Sequence, residues 1–582
     1  MRVSNSLAHS KNKVVEFCKR VYNYDPTLNK LRAVVEKMDG IAAHVGGFLA
    51  IVNTVQQHHQ LYQAQVVNNR ETGPLLPEGS SVVFGRDTER EELVQWLMKP
   101  SDEDGENSVP LLSVVGHGGM GKTTLSQLVF NDEKVKKFFN LRMWVCVSTT
   151  FDARRLLAAV LESATKERPK VDSLAGLQMA LEEKLVSSGK FLLVLDDAWN
   201  DNNMSSWNNL LAPLKCGEKG SKILLTTRSD RVAGMAAQAA TGREKEVMKL
   251  ARLEDHVFIP LFYQYAFAGA KSDDYGKLQS IGKKIARRLG GSPLAAKSIG
   301  SLLNSNLNDG HWTNILFSNI LHAQQQADQD NINSILMLSY HHLPTHLRSC
   351  FAFCSIFPQD YLIHRKTLIR MWVGVGLIQR SPQNQNQTDE DIGGYYFDDL
   401  LKRSFFEPYR SDNVFYTIHD LLHELAQSVS QDECFRVVDD TSIQGIPTMV
   451  RHLWIEIDNP TLLAEVDKWT DKWKNLIFEK NKWKNLRTLV LICKEYNHHE
   501  HSTIFSELFK SLKSIRVLHL LVRGMKELAN EIGYLIHLRV MSTYPPFTPF
   551  SSSIIRLPSL ICKLYHLQFI ELRPDSDSDG IP

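Results

Sequence analysis

Cysteine is scarce and unpatterned: the 582-residue chain holds 8, and the closest two, Cys350 and Cys354, sit four apart among aromatics. No Cys-x-x-Cys pair occurs, which leaves reduced, buried thiols in an intracellular protein as the expectation. No apolar run reaches the roughly 18–20 residues that span a bilayer, so no transmembrane segment is expected. The stretch from Met1 to Glu16 is polar and lacks the apolar core of a secretory signal. Neither sign of charge dominates, with Lys+Arg 67 against Asp+Glu 65 and a net charge of +2. That balance excludes a whole-chain attraction to nucleic acid or anionic membrane. What remains is globular: 43% hydrophobic and 23% charged residues rule out a disordered chain, and the length predicts about three or four domains.

Asp25-Pro26 makes a helix start, with Asp as N-cap and Pro in the first turn. From there Leu28, Leu31, Val35, Met38, Ala42, Val45, Leu49 and Val52 lay one apolar stripe down a helix, as in a coiled coil or helical bundle. One helix cannot bury its own stripe, so it needs the rest of this chain or another copy. A Gly/Pro/Ser-rich linker follows at residues 73–81, and an acidic, turn-rich break at residues 101–108. Short apolar strands at 111–115, 142–147, 191–195 and 222–225 then alternate with helix-length segments, the pattern of a parallel sheet covered on both faces. Helix-rich sequence runs from about Leu250 to Val429, broken by a polar loop at 381–391. Residues 405–409 and 413–417, flanking Arg410-Ser411-Asp412, read as a β-hairpin or wing. The final stretch repeats a frame at Leu486, Ile515, Leu538 and Leu567, with offsets of 29, 23 and 29 residues. Those periods fall in the leucine-rich-repeat range, where stacked strands leave a concave surface for a partner.

The strongest chemical signal is Gly116-His117-Gly118-Gly119-Met120-Gly121-Lys122-Thr123-Thr124, between a predicted strand and a predicted helix. It fits G-x-x-x-x-G-K-[ST]: the glycines let backbone N–H groups curl around a β-phosphate, Lys122 reaches the β- and γ-phosphates, and the Thr123 hydroxyl is placed on Mg²⁺. About 70 residues on, an apolar strand opens onto Asp196 and Asp197. Asp196 would hold Mg²⁺, directly or through water, and Asp197 could orient or deprotonate an attacking water. A third strand runs into Thr226-Thr227-Arg228, whose guanidinium at the carboxyl edge can sense a γ-phosphate. Cys350 and Cys354 are expected to face a helix core, and His58, His59, His498, His499 and His501 to be solvated loop residues.

From about Val82 to Leu572 these residues resemble a plant intracellular immune receptor of the nucleotide-binding (NB-ARC), leucine-rich-repeat family, coiled-coil subclass. Val83-Phe84-Gly85-Arg86-Asp87 is similar to its adenine-side motif, Trp144 to Ser148 to its second strand, and Leu195 to Asn200 to its acidic motif. Gly220 to Arg228 resembles the arginine sensor, and Gly290 to Ala296 the helical-domain motif whose proline packs near the nucleotide. Cys350 to Trp372 is similar to the winged-helix entry. Ile418-His419-Asp420 occupies the place of the Met-His-Asp motif, whose histidine contacts the ADP β-phosphate. Ser292, Ile418 and Ala198 depart from the usual leucine, methionine and larger aliphatic.

The resemblance implies an α/β P-loop NTPase sheet domain (82–245), a helical domain (246–330), a winged helix (331–435) and a partial α/β leucine-rich-repeat solenoid (436–582). A helical coiled-coil remnant (1–70) and linker (71–81) would precede them. It places ADP or ATP against Val83, Phe84, Gly85, Arg86, Gly116, Gly118, Gly119, Met120, Gly121, Lys122, Thr123, Thr124, Arg228, Pro293, Leu294 and His419. Mg²⁺ would sit on Thr123 and Asp196, with Asp196 and Asp197 as the hydrolytic pair. The expected protein is a cytoplasmic ADP/ATP switch in innate immunity, with peripheral-membrane or nuclear pools open, at most a slow ATPase. A pathogen effector or guarded host protein would meet the repeats, and a second copy or helper receptor the N-terminal helix. The segment before Val82 is short for the family's four-helix domain and the repeats are few, so a receptor shortened at both ends is the reading. A signalling-deficient interaction partner and a turnover ATPase are the alternatives. A DNA-binding regulator finds no basic stripe in the winged helix, so no direct nucleic-acid contact is expected.

Overall fold

The computed structural model describes residues 83–99, 109–147, 151–167, 169–199, 203–242, 245–270, 275–318, 328–380, 386–409, 414–437, 445–457, 484–493, 502–522, 527–543 and 557–571. The N-terminal stripe at 28–52, the linker, the break at 101–108 and the histidine clusters lie outside them.

Strands β1 (Leu111–Val115), β2 (Leu141–Cys146), β3 (Phe191–Ala198), β4 (Lys222–Thr227) and β5 (Glu246–Lys249) form a 5-stranded parallel sheet in the order β2-β3-β4-β1-β5. The period of two in each strand sends Leu193, Leu195, Ile223 and Leu225 into one core and Leu112, Val114, Leu192, Val194 and Leu224 into another. Every residue of β3 is buried, so the sheet is covered on both faces. Each large aliphatic so buried contributes about 1.5–3 kcal/mol. The strands differ from the sequence reading in several places: β2 lies one residue earlier, and β4 runs two residues further, to Thr227. β3 extends past 195 through the acidic pair, because those carboxylates have buried partners. β5 was not anticipated: Glu246 and Lys249 are exposed, so its four residues carry little apolar pattern.

The chain enters helix α1 (Lys122–Phe130) directly from the loop after β1. Beyond the sheet, helices Asp255–Ala266, Gly276–Arg288, α2 (Pro293–Asn304) and Asp309–Leu316 pack around Phe262, Ile285, Ile299 and Trp312. Ser292 caps α2, its Oγ accepting from Ala295 N–H at 3.5 Å, and Pro293 fills the first helical position. The departure from leucine at 292 thus supplies a cap. The same core continues into α3 (Arg365–Val375), the helix Asp389–Lys402 and α4 (Asp420–Ser430). Beside them β6 (Ile363–His364), β7 (Glu407–Pro408) and β8 (Phe415–Thr417) make a small antiparallel sheet, with β8 central. The wing read at 405–417 is therefore two of three strands. Cys350 and Cys354 are wholly buried in this core.

A second parallel sheet of 6 strands follows the order of the chain: β9 (Cys434–Val437), β10 (His452–Ile457), β11 (Thr488–Cys493), β12 (Val517–Val522), β13 (Val540–Ser542) and β14 (Phe569–Glu571). Thr488, Val517, Val540 and Phe569 are in register, so the four recurring frames stack on one another. Leu486, Ile515 and Leu538 are wholly buried beneath them. The ladder begins earlier than the four frames, with β9, which does not keep their spacing, and β10, which keeps it as Val450-x-x-Leu453-x-Ile455 in register with Leu489 and Leu491.

Candidate functional site

The site is built where β1, β3 and β4 end. Gly116 N–H donates to Thr227 O at 3.2 Å, which starts the glycine loop at the carboxyl edge of the sheet. Gly119 (φ +74°) and Gly121 (φ +89°) adopt left-handed backbone that other residues reach only with strain. The loop is also walled in. A Cβ on Gly119 would stand 2.7 Å from Leu294 Cβ, and one on Gly118 3.0 Å from Leu421 Cδ1 and 3.4 Å from the Arg228 guanidinium carbon. Leu294 N–H donates to Gly119 O at 3.2 Å, tying α2 to the loop. Around Gly121 nothing lies within 4 Å of the Cβ position.

Lys122 is buried and donates from Nζ to His117 O at 3.0 Å, across its own loop. Burial first, and the Arg228 cation second, push its pKa down to about 8. Asp196 is fully buried, and its Oδ1 accepts from Thr123 Oγ1 at 3.0 Å and Thr226 Oγ1 at 2.5 Å. Burial pushes its pKa up to about 6 against the pull of those hydroxyls. The Thr226 hydroxyl also accepts from Asp197 N–H at 2.7 Å. Asp197 has φ +54°, where the register between β3 and β4 slips. This strained residue is the kind of outlier found at functional sites.

Arg228 gathers charge from two parts of the molecule. Its guanidinium lies 4.3 Å from the centre of the Trp199 ring and 3.9 Å from Asp197. Across from the sheet it stands 4.0 Å from Asp420 and 3.9 Å from Glu424, both on α4. Its Nε is buried without a hydrogen bond. His419 caps α4: its Nδ1 accepts from Leu421 N–H at 3.2 Å. Burial, chiefly, holds its pKa below the usual value, so the neutral ring carries its proton on Nε2 and can donate from there. Close by, Lys297 of α2 and Glu407 of β7 form an ion pair at 2.5 Å.

The structure thus brings together the loop, Lys122, Thr123, Asp196, Asp197, Arg228 and Leu294. Pro293 opens α2 beside Leu294, and Thr124 lies in the first turn of α1. Met120 is a core residue under the loop, offering only its backbone. Arg86 is engaged by protein: Glu89 at 2.6 Å, Ala251 O at 2.8 Å and Met120 O at 3.3 Å. It braces the loop from behind. Phe84 packs on the helical core, Val83 is half-buried, and Gly85 (φ +63°) lies against Val257. Leu421, Glu424 and the Lys297–Glu407 pair escaped the sequence reading, and Thr226 and Trp199 entered it only as members of motifs, with no role of their own. Thr226 lies in a strand that ends beside the acidic one, and Trp199 follows the acidic pair by two residues.

The donor set fits the expected ligands. Thr123 and Asp196 offer adjacent hard oxygens suited to Mg²⁺, and the loop's open amides and Lys122 suit phosphate. Among the described residues no cluster of three His, Cys, Asp or Glu could hold a metal unaided.

A lysine-bearing glycine loop on a five-stranded parallel sheet, packed against a winged helix, defines a P-loop nucleotide-binding fold. Residues 86–271 match the NB-ARC domain family and residues 356–426 the disease resistance protein winged helix domain family. The chain is similar in these two regions to disease resistance proteins. Disease resistance protein RGA2 of Solanum bulbocastanum is 35% identical over 433 residues, covering 73% of this chain and 43% of the relative. Disease resistance RPP13-like protein 4 of Arabidopsis thaliana is 27% identical over 505 residues, 84% of this chain and 54% of the relative. The chain spans 42–43% of the length of RGA4, RGA2 and RGA1 of Solanum bulbocastanum. Among solved structures, Cdc6p of Pyrobaculum aerophilum aligns with 60% of this chain and 95% of its own at 17% identity and a TM-score of 0.33. No helix among the described residues is long and apolar enough to cross a membrane.

Proposed function

We propose that the chain is an adenine-nucleotide switch in plant defence signalling, closed with ADP and opened by ATP. The observation that carries this reading is the position of Arg228, held between Asp197 of the sheet and Asp420 and Glu424 of α4. The loop amides and Lys122 would take the diphosphate, and His419 Nε2–H would donate to it from the winged helix. Leu294 and Leu421 pack against the loop glycines from two other elements, so one ligand would bear on three parts of the fold. A γ-phosphate would enter beside Arg228 and compete with the carboxylates of α4 for it. Moving such an equilibrium from 1:99 to 99:1 takes about 5.5 kcal/mol of differential binding, so these contacts must change together.

Mg²⁺ held by Thr123 and Asp196 would neutralise phosphate charge. Asp197 would orient water, and slow hydrolysis would reset the switch. The stacked frames of the second sheet are read as leucine-rich repeats that meet an effector or a host protein, and residues 28–52 as a helix for self-association. A cytoplasmic location fits this role.

The test is the nucleotide that co-purifies with the protein. Mass spectrometry should find stoichiometric ADP in the wild type and little in Lys122→Arg, whose planar fork cannot replace the ammonium's contact. Equal ADP in both would contradict the assignment.

A further inference from the structure

Helix α2 touches the glycine loop at its start and the winged helix one turn later. Leu294 meets Gly119, and Lys297, three residues on, pairs with Glu407 of β7 at 2.5 Å. Docking does not call for a charge there. Ser298 Oγ and Ser339 Oγ lie 2.7 Å apart, as do Ser301 Oγ and Ser404 Oγ, so neutral pairs already join α2 to the segments beyond it. Taking two charges out of water costs free energy that hydroxyl pairs avoid, and a shielded ion pair often adds no net stability. Lys297 and Glu407 are both partly buried.

The register of the small sheet shows what the pair stands beside. Glu407 is opposite Thr417 of β8, so the two share a face. His419 comes two residues after Thr417, where the alternation of a strand returns to that face. The charges agree with this placement. Lys297, and after it His419, hold the Glu407 carboxyl below its usual range against burial. Burial lowers the His419 pKa, and the Asp420 and Glu407 carboxylates oppose it. Glu407 is thus an acceptor on the side of the sheet that His419 occupies, and Lys297 engages it. An unpaired carboxylate there would compete with phosphate for the hydrogen on His419 Nε2.

We infer that Lys297 and Glu407 are positioning residues for the His419 donor: Lys297 engages the Glu407 carboxylate, which leaves His419 Nε2–H to the diphosphate of ADP. This role rests on the contact between His419 and the diphosphate proposed above. Because the pair governs a competition, its two members have opposite effects. Without Lys297, the carboxylate captures the imidazole N–H. Without the carboxylate there is no competitor, and Lys297 keeps a free charge on the side where the anion binds.

The experiment loads the full chain with a fluorescent ADP and measures its release after a chase with unlabelled ADP. Lys297→Met, which keeps the stem and removes the charge, should release ADP about tenfold faster. Glu407→Gln should release it at the wild-type rate or more slowly, whereas a pair that merely held the fold would lose ADP from either side. Lys297→Met/Glu407→Gln should return to within about twofold of wild type, which also shows that loss of the lysine leaves the site folded. In a His419→Ala background, Lys297→Met should lose its effect. Faster release from Glu407→Gln, no rescue in the double variant, or an undiminished effect of Lys297→Met without His419 would overturn the proposal. His419→Ala separates the two levels. Wild-type release from it overturns the histidine contact itself and the positioning role with it. Fast release from it, with a wild-type rate from Lys297→Met, overturns the positioning role alone.

Discussion

Arg228, one residue past β4, faces Asp420, the first residue of α4, with Nη2 4.0 Å from Oδ2. The sheet and the winged helix therefore meet through a cation that Asp197 and Glu424 also approach. Arg228→Ala would leave those three carboxylates to repel one another. The interface should weaken by about 1–3 kcal/mol, discounted for the partial exposure of the acids. Faster hydrogen exchange in α4 with the sheet unaffected would register it, whereas Asp420→Asn, removing one of three partners, should do less.

Asp196 gives a pH dependence. Its pKa stands near 6 in the fold against 3.8 outside it, so the folded state binds the extra proton between those values. Its contribution is favourable below about pH 4 and is lost as pH rises through 6, a change of about 3 kcal/mol. Asp196→Asn should flatten that slope in nucleotide-free protein and remove any gain in nucleotide affinity from Mg²⁺. An unchanged Mg²⁺ effect would show that another group holds the ion.

Lys122 works in the opposite range. Its folded pKa of about 8 lies below the usual 10.5, so nucleotide-free protein loses this cation as pH passes 8. ADP capture by emptied protein should therefore fall about tenfold per pH unit above 8 until the bound-state pKa is reached. Fluorescence titrations from neutral to alkaline pH measure this, and a flat profile would exclude Lys122 as the phosphate contact.

Gly119→Ala tests the wall of the loop. The added methyl meets Leu294 Cβ at 2.7 Å on a backbone with φ +74°, and the cost should be about 1–3 kcal/mol with loss of ADP. Adding Leu294→Ala relieves the collision but not the strain, so thermal unfolding should recover only in part.

Much of this arrangement was legible beforehand because it is local. The glycine loop, Asp196-Asp197 and Thr226-Thr227-Arg228 each follow an apolar strand, and a parallel sheet gathers its strand ends at one edge. The stacked frames at Leu486, Ile515, Leu538 and Leu567 were readable from their spacing for the same reason. What stayed hidden depends on contacts across long sequence separations. Thr226 between the two aspartates follows from β3–β4 register, and Leu421 over Gly118 from docking of the winged helix. Arg86, expected near the nucleotide, donates to Met120 O and Ala251 O, contacts no spacing reveals. β9 was missed because its pattern differs from the frames, and β10 because its frame opens on Val450 and ends on Ile455 and so is not spelled in leucines.

The account rests most directly on whether the bound nucleotide controls the grip of α4 on the glycine loop. Hydrogen exchange at the amides of Leu421 and Leu422 should be slow with ADP and at least about tenfold faster with a non-hydrolysable ATP analogue, a coupling of about 1.4 kcal/mol or more. Identical protection in the two states, with both nucleotides shown to be bound, would contradict it.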